Sequence, residues 1–119
     1  MTHEPPTHLD TIAQQKWAEV IPILQEHGDV DQGALDALTA YCSAWSRWTA
    51  AEAQVNALGA VVKSPAGFPV QNPFVAIAAA AQRQMRQWGS ELKLTPKARG
   101  KATSAEGESA VMRLLREPP

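Results

Sequence analysis

From Asp31 to Leu58 nothing in the sequence stops a helix except Gly33 near the beginning, and apolar residues return at helical intervals: Leu35, Leu38, Tyr41/Cys42, Trp45, Trp48, Val55 and Leu58. At 1.5 Å per residue such a helix is about 40 Å long. Its stripe needs a partner of matching length, because helices in water are held mainly by burying an amphipathic face. The preceding segment is too short to cover it. There Asp10 or Thr11 can cap a helix, Ala13, Trp17, Val20, Ile21 and Leu24 recur at three- and four-residue steps, and His27-Gly28 ends the pattern. Pro22 lies inside that pattern and is expected to bend the last turn without breaking it.

The matching partner comes later. Asn72-Pro73 is a helix start, with Asn accepting from free amides and Pro at the first helical position. Phe74, Ile77, Ala81, Met85, Trp88 and Leu92 then form an amphipathic stripe, with Gln82, Arg83, Arg86 and Gln87 off it. Between the two long helices, Gly59 to Gln71 reads as a short β-ribbon or loop turning at Ser64 to Gly67, with Pro69 confining any strand to an edge. The expected fold is all-α: an N-terminal helix, then a long antiparallel helical hairpin with the ribbon at its tip. Residues 1–8 read as a flexible arm, 9–99 as one helical domain, and 100–119 as a linker and flexible tail. In that tail Val111, Leu114 and Leu115 form a short amphipathic face that orders only when a partner binds it.

Composition sharpens the packing. Hydrophobic residues make up 45% of the 119-residue chain, but alanine supplies the largest share and aromatics only 6%. That argues for helices meeting at close range, or for copies completing one another's cores. Sandwiches, barrels and doubly wound sheets do not fit. No apolar run approaches the roughly 18–20 residues of a membrane span, and the first residues lack the pattern of a signal peptide, so a soluble, cytoplasmic protein without a membrane partner is expected. Cys42 is the sole cysteine, which excludes an internal disulfide or a cysteine-based zinc cluster.

Catalysis finds no support. His3, His8 and His27 show no metal-ligand spacing, no glycine loop cradles a phosphate, and Cys42 reads as a buried, inert thiol, so neither metal nor cofactor is expected. Charge is more informative. The net charge of −1 hides a partition: residues 1–59 carry Lys16 and Arg47 against eight acids, residues 60–119 nine cations against four acids. Arg83, Arg86, Lys93, Lys97, Arg99 and Lys101 lie close together with only Glu91 among them. Neither Arg83 nor Arg86 has an acid three or four positions away, and amides at 95–98 would open a short helix toward an anion. This fits a phosphate backbone, contacted for position and not for base reading. A solvated cationic face, or pairing with the acidic half of a neighbour, stays open beside it. The aromatic stripe is equally double: Trp45, Trp48, Phe74, Met85 and Trp88 serve as core, or extend into a subunit interface.

One set of motifs is more specific. Trp17 with Pro22, Leu24 and Gly28, then Asp36, Tyr41-Cys42 and Trp45, Gly59, Asn72-Pro73, and finally Glu91-Leu92-Lys93-Leu94-Thr95-Pro96-Lys97-Ala98-Arg99 follow one another in order. Over Ala13 to Arg99 the chain resembles the small terminase subunit of tailed bacteriophages, in the subgroup of prophage packaging modules. The last run is similar to that family's Glu-Leu-Gly-Leu-Thr-Pro-x-x-Arg signature, with Lys93 standing where the family has glycine. The resemblance implies a non-enzymatic, homo-oligomeric ring in the cytoplasm of the bacterial host. It would recognise double-stranded viral DNA at the packaging start site and deliver it to the large terminase subunit, an ATPase and nuclease that it regulates. On that reading Lys93, Lys97, Arg99 and Lys101 contact phosphates, with Arg83 and Arg86 as outlying contacts, and Val111, Leu114 and Leu115 dock on the large subunit. A DNA-free helical adaptor is the alternative.

Overall fold

The computed structural model describes residues 3–28 and 30–94. Its elements run α1 (Thr11–His27), α2 (Gln32–Leu58), β1 (Val61–Lys63), β2 (Pro69–Gln71) and α3 (Pro73–Glu91). The described residues are all-α apart from the small antiparallel ribbon, as their periodicities require. The expected tail, with Val111, Leu114 and Leu115, lies outside the described residues.

Asp10 starts α1 by accepting the Ala13 N–H at 2.9 Å, and its other oxygen accepts the Ser46 hydroxyl of α2. One carboxylate thus caps α1 and ties it to its neighbour. The helix passes through Pro22 to His27, and because Pro22 is exposed, the missing N–H falls on the solvent side. Ala13, Trp17, Val20 and Leu24 are buried, as their spacing predicts. The segment ahead of α1, expected to be a loose arm, is tethered in its described part. Trp17 is 3% exposed, and its indole N–H, shut off from water, donates to the His3 carbonyl at 3.1 Å. Leu9 joins the same core.

α2 lies between the other two helices, which scarcely touch each other. Leu38 and Cys42 are fully buried in the cluster shared with α1, while Ala44 and Ala51 are buried about half a turn away, toward α3. The direction of α3 follows from its contacts. Gly89 lies beside Tyr41, Gln84 bonds Arg47 and Asn72 bonds Gly59, so α3 runs antiparallel to α2.

The seam between them departs from the apolar stripe read in the sequence. Ala78, Ala81, Gly89 and Leu92 are buried, Phe74 and Met85 are half-buried, and Ile77 and Trp88 stand 39% and 38% exposed. Two helices approach closely only where side chains are small, so alanines and a glycine take the seam and the larger residues move to its flanks. At the distal end Leu58, expected on the buried stripe of α2, is 58% exposed, because it ends α2 level with the first residues of α3 and neither helix extends further to cover it.

The ribbon pairs Val61 with Gln71, Val62 with Val70 and Lys63 with Pro69. Its turn closes through the Gly67 N–H on the Ser64 carbonyl at 2.8 Å, with Gly67 at φ 88°, a left-handed value that suits glycine. Asn72 locks the base. It is 1% exposed, donates from Nδ2 to the Gly59 carbonyl at 2.8 Å and accepts the Phe74 N–H at 3.0 Å, so one side chain both starts α3 and holds the end of α2.

Candidate nucleic-acid and subunit interfaces

The cationic segment begins at a defined turn. After α3 the Lys93 N–H donates to the Ser90 carbonyl and the Leu94 N–H to the Gly89 carbonyl, the two bonds of a Schellman motif. Its left-handed position is Lys93, at φ 58°. The chain therefore turns where the signature has glycine, although the residue here carries a Cβ and a charge. Leu94 folds back against the core cluster and anchors the turn. Lys97, Arg99 and Lys101 follow outside the described residues.

Arg83 and Arg86 are exposed on α3, which has no acidic residue before Glu91. A third arginine, missed in the sequence because it sits in the acidic half, joins this helix: Arg47 of α2 donates from Nη1 to Gln84 Oε1 at 2.9 Å. Helical phase alone places Arg47 off the predicted stripe, and only the antiparallel register carries it to α3.

The expected interface residues do not form one surface. Trp45, Trp48 and Met85, with Tyr41, Gly89 and Arg86, line an open groove of about 370 Å³ between α2 and α3. The two indoles meet at 5.3 Å between centroids, tilted by 54°. Lys16 of α1 stands 3.9 Å over the Trp45 ring, within cation–π range. Trp48 Nε1 is buried without a hydrogen-bond partner. Phe74 lies in the first turn of α3, away from the groove, and Trp88 is outside it as well. Trp88 is one turn from Gln84, so it shares the flank on which Arg47 meets α3, opposite Arg86.

Titratable groups in and beside the α1–α2 contact are perturbed by their surroundings. Burial pushes the Cys42 thiol up to about 12 despite the nearby Lys16 ammonium, so thiolate chemistry is suppressed. Burial likewise raises Tyr41, and the Ser46 hydroxyl followed by the Ala13 amide holds Asp10 below its ordinary value. Among the described residues no three His, Cys, Asp or Glu side chains gather as a metal would require, and no helix is long and apolar enough to cross a membrane.

Compared with known proteins, the chain matches the family described as phage terminase, small subunit, over residues 13–109. No curated protein and no solved structure matches it. Among the described residues the match takes in α1 from Ala13 on, α2, the ribbon, α3 and the turn at Lys93, and small terminase subunits are in general non-catalytic. The chain belongs to the phage terminase small-subunit family, and its role lies in the packaging of phage DNA.

Proposed function

We propose that this chain is an oligomeric DNA-binding subunit that recognises the packaging start site, delivers viral DNA to the large terminase subunit and regulates it, in the cytoplasm of the bacterial host. The observation that carries this reading is the turn at Lys93. It follows α3, in which Glu91 at the very end is the one acid, and in the sequence Lys93 leads into Lys97, Arg99 and Lys101, a run without an acid. These four contact phosphates, with Arg83 and Arg86 as outlying contacts. Specificity rests on DNA shape and on several copies acting together, since the contacts position without reading bases. Copies stand side by side in a ring, and the segment with Val111, Leu114 and Leu115 docks on the large subunit.

An electrophoretic shift with duplex DNA at low salt tests the reading. Six phosphate contacts give a slope of log K against log salt of about −5, from roughly 0.9 per contact. Lys97→Glu combined with Arg99→Glu abolishes the shift. A chain that ignores DNA at low salt is instead a helical adaptor whose cations meet an acidic protein surface.

A further inference from the structure

Resting on the proposal that copies assemble, we infer that neighbouring copies join head to tail, the exposed Trp88 flank of one docking into the Tyr41–Trp45–Trp48–Met85 groove of the next. The two apolar features lie on opposite flanks of the α2–α3 hairpin. Trp88 shares its flank with Gln84 and Ile77, whereas Arg86, two residues from both Gln84 and Trp88, lines the groove on the other side. One copy cannot satisfy its own groove with its own Trp88. A two-fold contact would have to use one flank twice, leaving the other apolar feature in water, whereas a head-to-tail contact uses both.

Height and charge agree with this occupant. Gly89 lies beside Tyr41 and Gln84 bonds Arg47, so Trp88 stands level with the stretch of α2 from Tyr41 to Trp48 that forms the groove. A neighbour rotated about an axis parallel to the hairpin therefore meets the groove with little shift along the axis, the condition for a closed ring. The rims are complementary in charge. Glu91, one turn from Trp88, faces Arg86 of the next copy, and Arg47 faces Glu52, one turn beyond Trp48, each pair offset by about 7.5 Å along the axis, which the long arginine side chain spans. In this pairing Arg86 serves the contact between copies, and Lys93, Lys97, Arg99, Lys101 and Arg83 remain for DNA, which moves the expected salt slope from about −5 to about −4.5.

The test is light scattering on the full chain and two variants, each checked for unchanged helix content by circular dichroism. One is Trp88→Ala with Ile77→Ala. The other is Gln82→Glu with Arg86→Glu, at exposed positions of the groove side. The parent exceeds the mass of a dimer, each variant alone falls to a single chain, and their equimolar mixture stops at a dimer, because one intact flank meets one intact groove. A variant that keeps the parent's mass, or a mixture that stays monomeric, overturns the pairing. Arg86→Glu by itself lowers the assembly mass, and adding Glu91→Arg, a charge exchange on the surface that does not touch the seam, restores it; failure to restore it also counts against the pairing. A parent that is itself monomeric at high micromolar concentration overturns the assembly proposal instead.

Discussion

At Lys93 a left-handed backbone carries a side chain that resists it, and two substitutions separate the backbone from the charge. With φ 58°, a residue with a Cβ is disfavoured by about 1–2 kcal/mol relative to glycine. Glycine gives back about 0.4–1 kcal/mol of that through the greater freedom of its unfolded chain. Lys93→Gly should therefore exceed Lys93→Ala in stability by about 0.5–1 kcal/mol, or roughly 2–6 °C in Tm for a domain of this size. Both variants lose the same cation just past the end of α3, worth about 0.3–1 kcal/mol there, so comparing them with each other cancels that loss. Against the parent, the glycine variant is close to neutral. Thermal unfolding followed by circular dichroism, at one protein concentration because self-association moves the midpoint, measures the difference. An alanine variant as stable as the glycine variant would refute the left-handed turn. The same pair reports on DNA: each variant flattens the salt slope by about 0.9 when Lys93 neutralises a phosphate, and leaves it unchanged otherwise.

Ala81, fully buried in the seam, tolerates no bulk: Ala81→Leu should cost about 1–3 kcal/mol, while the exposed Ala76→Leu stays within about 0.5 kcal/mol, both read from denaturant midpoints. Asp10 has a folded pKa below its unfolded value, so its contribution is present above about pH 4 and is lost as pH falls through the lower, folded value. Asp10→Asn, which keeps a capping oxygen, should make stability less sensitive to acid across that range, and an unchanged acid titration would count against the Ser46–Asp10 bond. Cys42, buried and raised to about 12, should react with a thiol reagent at pH 8 only as fast as the chain unfolds, and prompt labelling of the folded protein would contradict its place in the core.

Much of this architecture was legible in the linear text. Asp10 and Asn72 cap α1 and α3, α2 starts beside Asp31, Ser64 to Gly67 turns the ribbon, and Ala13, Trp17, Val20 and Leu24 face inward. The family resemblance also rests on local runs of residues. The candidate site was less legible. Arg47 reaches α3 across 37 residues of sequence, and the residues read as one interface divide among a groove, an exposed flank and the first turn of α3. Periodicity ranks positions by hydrophobicity, so it favours Trp88 and Ile77 over Ala78 and Gly89 for the seam of α3.

The sequence by itself determined where each helix starts and stops and that two long ones fold back on each other. Caps, breakers and helical repeats act over three or four residues, and those residues are adjacent in the chain. Only the tertiary structure decided which face of α3 meets α2 and which apolar groups remain outside. Close approach between helices rewards small residues on both sides at once, and the seam that Ala44 and Ala51 of one helix form with Ala78, Ala81 and Gly89 of the other exists only when the chain is folded. That choice moves the large side chains to the flanks, where they are available to another molecule.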